Sequence, residues 1–126
     1  MFYIDAYVIP VKKDRLDEYK VLSQLSSEVW LDHGALFYTE ALADDVNLGE
    51  VTSYYRSVDL KEDEVLVTGF AVYKNKEDRD TVNKKAMEDP RFKDVDFDNA
   101  PFDMQRMYWG GFSSITALGA IDQTKL

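Results

Sequence analysis

The hydrophobic pattern of this chain switches between a period of two and a period near 3.6 in the order strand, helix, strand, strand, helix, strand. No other feature constrains its fold as strongly. The first segment reads MFYIDAYVIPV, in which Asp5 is the one charged residue. From Phe2 to Val11 the β-branched and aromatic residues favour a strand. Alternation places Ile4, Ala6 and Val8 on one face, read as the face beneath helices, and Tyr3, Asp5, Tyr7 and Ile9 on the other. Asp14 is placed to cap a helix running to about His33, with Leu16, Tyr19, Leu22, Leu25, Val29 and Trp30 on its apolar face and Gly34 just past its end.

Residues 35–42 read as a second strand, with Leu36, Tyr38, Glu40 and Leu42 sharing a face. The polar stretch 44–64 carries turn signals at Asn47 and Gly49, and 52–58 reads as a short extended piece within it. A third strand spans 65–73. Asn75 then caps a second helix whose inner face holds Val82, Ala86 and Met87, and Pro90 stops it. After a loop over 94–103, a last strand over 105–113 sets Arg106, Tyr108, Gly110 and Phe112 on one face; 114–126 is a tail.

This order is the split βαβ pattern: an α+β, ferredoxin-like β-α-β-β-α-β domain over residues 1–126, with a four-stranded antiparallel sheet in the order 4-1-3-2 and both helices on one face. The opposite face is then expected to carry Tyr3, Tyr7, Tyr38, Phe70 and Tyr108, too apolar to remain in water. A second copy of the chain covers it most economically, so a homodimer is expected.

The chain has 31% charged residues and a net charge of −9. Its basic residues form no stripe, which argues against binding nucleic acid or an anionic membrane surface. There is no cysteine, which removes disulfides, thiolate catalysis, zinc thiolate sites and iron–sulfur clusters. No apolar run is long enough to span a membrane, and the N-terminus lacks a basic region followed by an apolar stretch, so no signal peptide and a cytoplasmic location are expected.

Three stretches carry a family resemblance: IDAYV, HGALFYTEALADDVNLGEVTSYYRSV, and AMEDPRF followed by PFDMQRMYWGGF. Together they resemble the YbaA-like family of bacterial proteins of unknown function. The resemblance covers the chain to about Phe112 and implies a dimeric α+β barrel, in which two ferredoxin-like sheets face each other. It implies no reaction. Matched position by position, the family's strand-one aspartate falls on Asp5, its second-strand glutamate on Glu40 and its loop arginine on Arg56. Its Arg-Met element falls on Arg106 and Met107, and His33 falls where the family varies.

Asp5, Glu40 and Arg106 share the uncovered face by alternation, and neighbouring first and last strands would let Asp5 and Arg106 pair. Two readings stay open: a structural ion pair, or a polar cluster walled by Tyr3, Tyr7, Tyr38 and Tyr108. His33 sits where an imidazole complements a helix C-terminus. Asp94, Asp96 and Asp98 alternate like the start of a calcium loop. Asn99 stands where that loop needs glycine, however, and Gln105 where it needs glutamate, so a solvated turn is expected and no metal. Gly110-Gly111 reads as a bend or a close approach. No cofactor is implied. The expected function is small-molecule binding by a homodimer. Its ligand-binding candidates are Tyr3, Tyr7, Tyr38, Arg56 and Tyr108. The alternatives are a cofactor-free enzyme using Asp5 or Glu40 as base with Arg106 stabilising an anion, or a partner-binding module using the acidic loop 44–64.

Overall fold

A computed structural model describes residues 1–119 of the chain. It has an α+β fold with a four-stranded antiparallel sheet and three helices. The strands are β1 (Tyr3–Lys12), β2 (Phe37–Leu42), β3 (Glu64–Tyr73) and β4 (Tyr108–Ser113), ordered β2-β3-β1-β4 across the sheet. The helices are α1 (Leu16–Asp32), α2 (Tyr54–Ser57) and α3 (Lys76–Met87). The tail beyond residue 119 lies outside the described residues.

Local chemistry sets the helix ends. A 3-10 turn over Lys13–Arg15 delays α1, so Asp14 falls in that turn rather than at the helix cap. Arg15 instead pairs with Glu18 at 2.8 Å and donates to the Asn99 carbonyl at 2.7 Å, tying the start of α1 to a distant loop. Gly34, at φ +121°, ends α1 in a conformation that other residues resist. The Asn75 side chain accepts the Asp78 N–H at 2.8 Å and starts α3, which ends at Met87, three residues before Pro90.

α1 and α3 cover one face of the sheet. Tyr19 of α1 packs on Ile9, Val11 and Val67, and Val82 of α3 packs with Ala35, Ala71 and Tyr73. Residues in register across the strands share a face, so Tyr3, Asp5, Tyr7 and Ile9 lie under the helices together with Tyr38 and Glu40. This inverts the sequence expectation. Ile4, Ala6 and Val8 belong to the opposite face, with Phe70, Tyr108 and Phe112. The physical reason is that hydropathy favours burying Ile4, Ala6 and Val8, whereas the polar groups of the other face can be buried once the helices supply their partners. The helices also bring partners for the polar groups: Arg79 for Asp5, and the Tyr19 hydroxyl for Glu40.

The opposite face is covered at one end only. Residues 52–58, expected to be extended, contain the helical turn α2, capped by Ser53 accepting the Arg56 N–H at 3.1 Å. Val58 behind it packs on Val8 and Leu66. Among the described residues, nothing covers the rest of this face. Phe37, Phe70 and Phe112 are 42%, 40% and 58% exposed, and the first two stack at 5.7 Å. Phe37, Val72, Ile4 and Phe112 form one row across all four strands.

Candidate functional site

A cavity of about 550 Å³ lies between the helices and the sheet. Strand alternation supplies its floor: Asp5, Tyr7 and Ile9 from β1, Tyr38 and Glu40 from β2, Ala71 and Tyr73 from β3. Tyr19 and Trp30 of α1 and Asn83 of α3 face it from above. Phe92, Phe97, Phe102, Met104 and Met107 close its sides from the segment that joins α3 to β4. At the rim, Met87, Phe97, Met104 and Trp109 expose apolar surface to solvent.

Two polar groups interrupt these apolar walls. In the first, Arg79 donates to Asp5 Oδ1 at 2.7 Å and Asn83 donates to Asp5 Oδ2 at 3.3 Å. Asn83 Oδ1 in turn accepts from Trp30 Nε1 at 2.9 Å and from the Tyr73 hydroxyl at 3.0 Å. Asp5 is therefore charge-balanced and bonded on both oxygens. Burial, and then the neighbouring Asp5, hold the Tyr73 hydroxyl above its ordinary value, so it stays a donor.

The second group is Glu40. Its Oε2 accepts from the Tyr7 hydroxyl at 2.7 Å and the Tyr38 hydroxyl at 3.2 Å, and its Oε1 accepts from the Tyr19 hydroxyl at 2.7 Å. Burial is the largest reason that all three phenols titrate far above their ordinary range, with Glu40 adding to it. Three neutral donors thus surround the carboxylate, and among the described residues it forms no ion pair. Glu40, Tyr19 and Tyr38 also wall a second groove of about 410 Å³, between α1 and β2 and lined by Lys20 and Gln24.

Glycine makes this arrangement possible. Tyr7, Gly69 and Glu40 stand in one row across β1, β3 and β2. A Cβ on Gly69 would lie 2.7 Å from the Tyr7 hydroxyl and 2.6 Å from the Thr39 carbonyl oxygen. Gly111 is the corresponding gap for Tyr3: a Cβ there would run into the Tyr3 hydroxyl. The close approach at the glycine pair is thus made by an aromatic side chain of the same chain.

Of the sequence candidates, Asp5, Tyr7, Tyr38 and Glu40 line the cavity together, whereas Tyr3, Arg56, Arg106 and Tyr108 do not. The Tyr3 ring lies under the Arg79 guanidinium, 4.9 Å away. Arg56 donates to the Glu50 carbonyl and holds its own loop. Tyr108 lies on the open face and donates to Ser57 at 2.9 Å. The expected Asp5–Arg106 pair is not formed. Arg106 precedes β4, outside the strand register, and forms a two-point bridge with Glu64. It also bonds Asp103 at 2.8 Å and the Val58 carbonyl at 2.9 Å. His33 pairs at 2.7 Å with Asp89, which also binds Arg91. Asp96 accepts the Asp98 N–H in a solvated turn, and among the described residues no cluster of three or more His, Cys, Asp or Glu is placed to hold a metal.

Sequence reasoning missed Arg79, Asn83 and Gly69. The first two had a legible signal: positions 79, 82, 83 and 86 fall on one helical face, with Val82 and Ala86 already marked as inward.

Residues 2–104 match the family described as protein of unknown function, DUF1428. The chain belongs to this family. The DUF1428 match spans every residue that bonds Asp5 or Glu40. The chain is 38% identical over 115 residues to the protein named uncharacterized protein YbaA of Escherichia coli K12, an overlap of 91% of this chain and 97% of the relative. The YbaA proteins of Escherichia coli O157:H7 and Shigella flexneri match to the same extent. Among the described residues, no helix is long and apolar enough to cross a membrane.

Proposed function

We propose that this DUF1428 protein is a homodimer of the dimeric α+β barrel type, with a ferredoxin-like protomer, that binds a small molecule in the cavity between its helices and its sheet. The observation that carries this reading is the convergence of apolar walls on Glu40 in a space of about 550 Å³. Such a volume suits a small organic ligand, and few polar groups set in an apolar lining are what orients one. The strand order β2-β3-β1-β4, with both long helices on one face, supports the ferredoxin-like assignment. The exposed Phe37, Phe70, Tyr108 and Phe112 support a second copy on the opposite face, because a monomer rarely leaves such a patch in water.

One observation favours a second reading, a cofactor-free enzyme. Glu40 is the cavity carboxylate that no cation among the described residues neutralises, so it is the one suited to act as a general base. Asp5 and Arg106 do not fit that chemistry, since each is committed to its own buried or half-buried partners.

The binding reading is tested with the neutral fluorophore N-phenylnaphthylamine. Ala71 faces the cavity and its neighbour Phe70 faces the open side of the sheet. Wild type is expected to enhance the fluorescence at about one probe per chain, one for each helix–sheet cavity. Ala71→Trp, which fills the cavity, is expected to abolish the signal, and Phe70→Glu to retain it. Loss on Phe70→Glu with retention on Ala71→Trp overturns the proposed location.

A further inference from the structure

Resting on the reading of the helix–sheet cavity as a ligand site, we infer that its ligand class is an organic ammonium ion with an aromatic body, the ammonium seated on Glu40. The charge balance of the cavity carries this. Asp5 is neutralised by Arg79, but Glu40 is held by three phenol hydroxyls and, among the described residues, by no cation. Lys20 lines the adjoining groove and makes no ion pair with Glu40. The carboxylate therefore presents an uncompensated negative charge to an apolar space, where an opposite charge on a ligand is worth more than in water.

The bonding pattern narrows the head group further. A carboxylate offers about four acceptor positions. Tyr7 and Tyr38 occupy two on Oε2 and Tyr19 occupies one on Oε1, which leaves one on Oε1. A ligand carboxylate has no donor to place there and would meet like charge. An ammonium supplies both the N–H and the charge, and the resulting bond is of the charge-assisted kind.

The walls select the body. Trp30, Phe92, Phe97, Phe102 and Trp109 present rings, and Met87, Met104 and Met107 present thioethers. Rings and sulfur favour contact with another aromatic surface. The net charge of −9 also favours the approach of a cation over that of an anion.

Calorimetric titration with tryptamine, tryptophol and indoleacetate tests this, because the three share one aromatic body and differ in the head group. Tryptamine is expected to bind at least about tenfold more tightly than tryptophol, and indoleacetate not measurably. Glu40→Gln is expected to weaken tryptamine by about tenfold and to leave tryptophol within about twofold. N-phenylnaphthylamine binding by the variant checks that its cavity is intact. Tryptophol or indoleacetate matching tryptamine on the wild type overturns the inference without recourse to any variant, as does tryptamine affinity that ignores Glu40→Gln in a variant that still binds the neutral probe. If the wild type binds the neutral probe and none of the three indoles, the ammonium inference fails and the cavity reading stands. If the wild type binds no neutral probe, both fail.

Discussion

The Tyr7 hydroxyl donates to Glu40 Oε2 at 2.7 Å although β3 lies between their strands, and the phenol crosses that strand above Gly69. The shape of the candidate site thus depends on a residue without a side chain. Gly69→Ala is expected to destabilise the fold by about 1–3 kcal/mol, since its Cβ would press on the Thr39 carbonyl, and backbone yields less readily than a side chain. Urea unfolding measures this. A change under about 0.5 kcal/mol, the range of an unconstrained surface site, contradicts the close approach.

Asp5 and Arg79 should be strongly coupled. Their side chains are only 10% and 11% exposed, and the pair joins β1 to α3. Arg79→Met alone leaves Asp5 buried without its cation and should cost on the order of 3–5 kcal/mol, whereas Asp5→Leu with Arg79→Met should cost less than either single change. A double-mutant cycle from denaturant unfolding reads the coupling, and additive single effects would contradict it.

Arg106 should make stability depend on acid. Its hydrogen bonds are the first cause holding the Glu64 and Asp103 carboxyls below their ordinary values. A depressed carboxyl stabilises the fold above its unfolded pKa, about 4.3 for Glu and 3.9 for Asp, and that contribution is lost as pH falls through the folded value. Arg106→Met should therefore be less stable than wild type at neutral pH, with the gap narrowing at about pH 3. Unfolding free energies that differ by a constant amount across this range would rule the linkage out.

The open sheet face should be a dimer interface. Light scattering at micromolar concentration is expected to give twice the chain mass, and Phe70→Glu or Phe112→Asp to give a folded monomer. A folded wild-type monomer at that concentration removes the need for a partner sheet.

Element types were largely legible in the sequence because their signals are local. Asn75 marked the start of α3, Gly34 marked the end of α1, and the alternation in β1 grouped Asp5 correctly with Tyr7. The choice of face was not legible. Ile4, Ala6 and Val8 are more apolar than Tyr3, Asp5, Tyr7 and Ile9 opposite them, so hydropathy points to the wrong face; both sets find cover, one from α1 and α3, the other in part from α2 and Val58. The partner of Asp5 was hidden for a related reason. Arg79 sits in the run Lys76-Glu77-Asp78-Arg79-Asp80, which reads as a solvated face until tertiary packing turns one member inward. Arg106 was misplaced because β4 starts three residues later than its pattern indicates, after a turn over 104–106. Gly69 carried no signal of its own, since only its register partners Tyr7 and Glu40 reveal what the missing side chain makes room for.

The most direct test of the proposed site is a crystal structure of the protein with bound N-phenylnaphthylamine. Density for the probe is expected between Trp30, Tyr38, Glu40 and Met107, beneath α1. Density against Phe70 and Phe112 on the open face, with the space beneath α1 left empty, would contradict it.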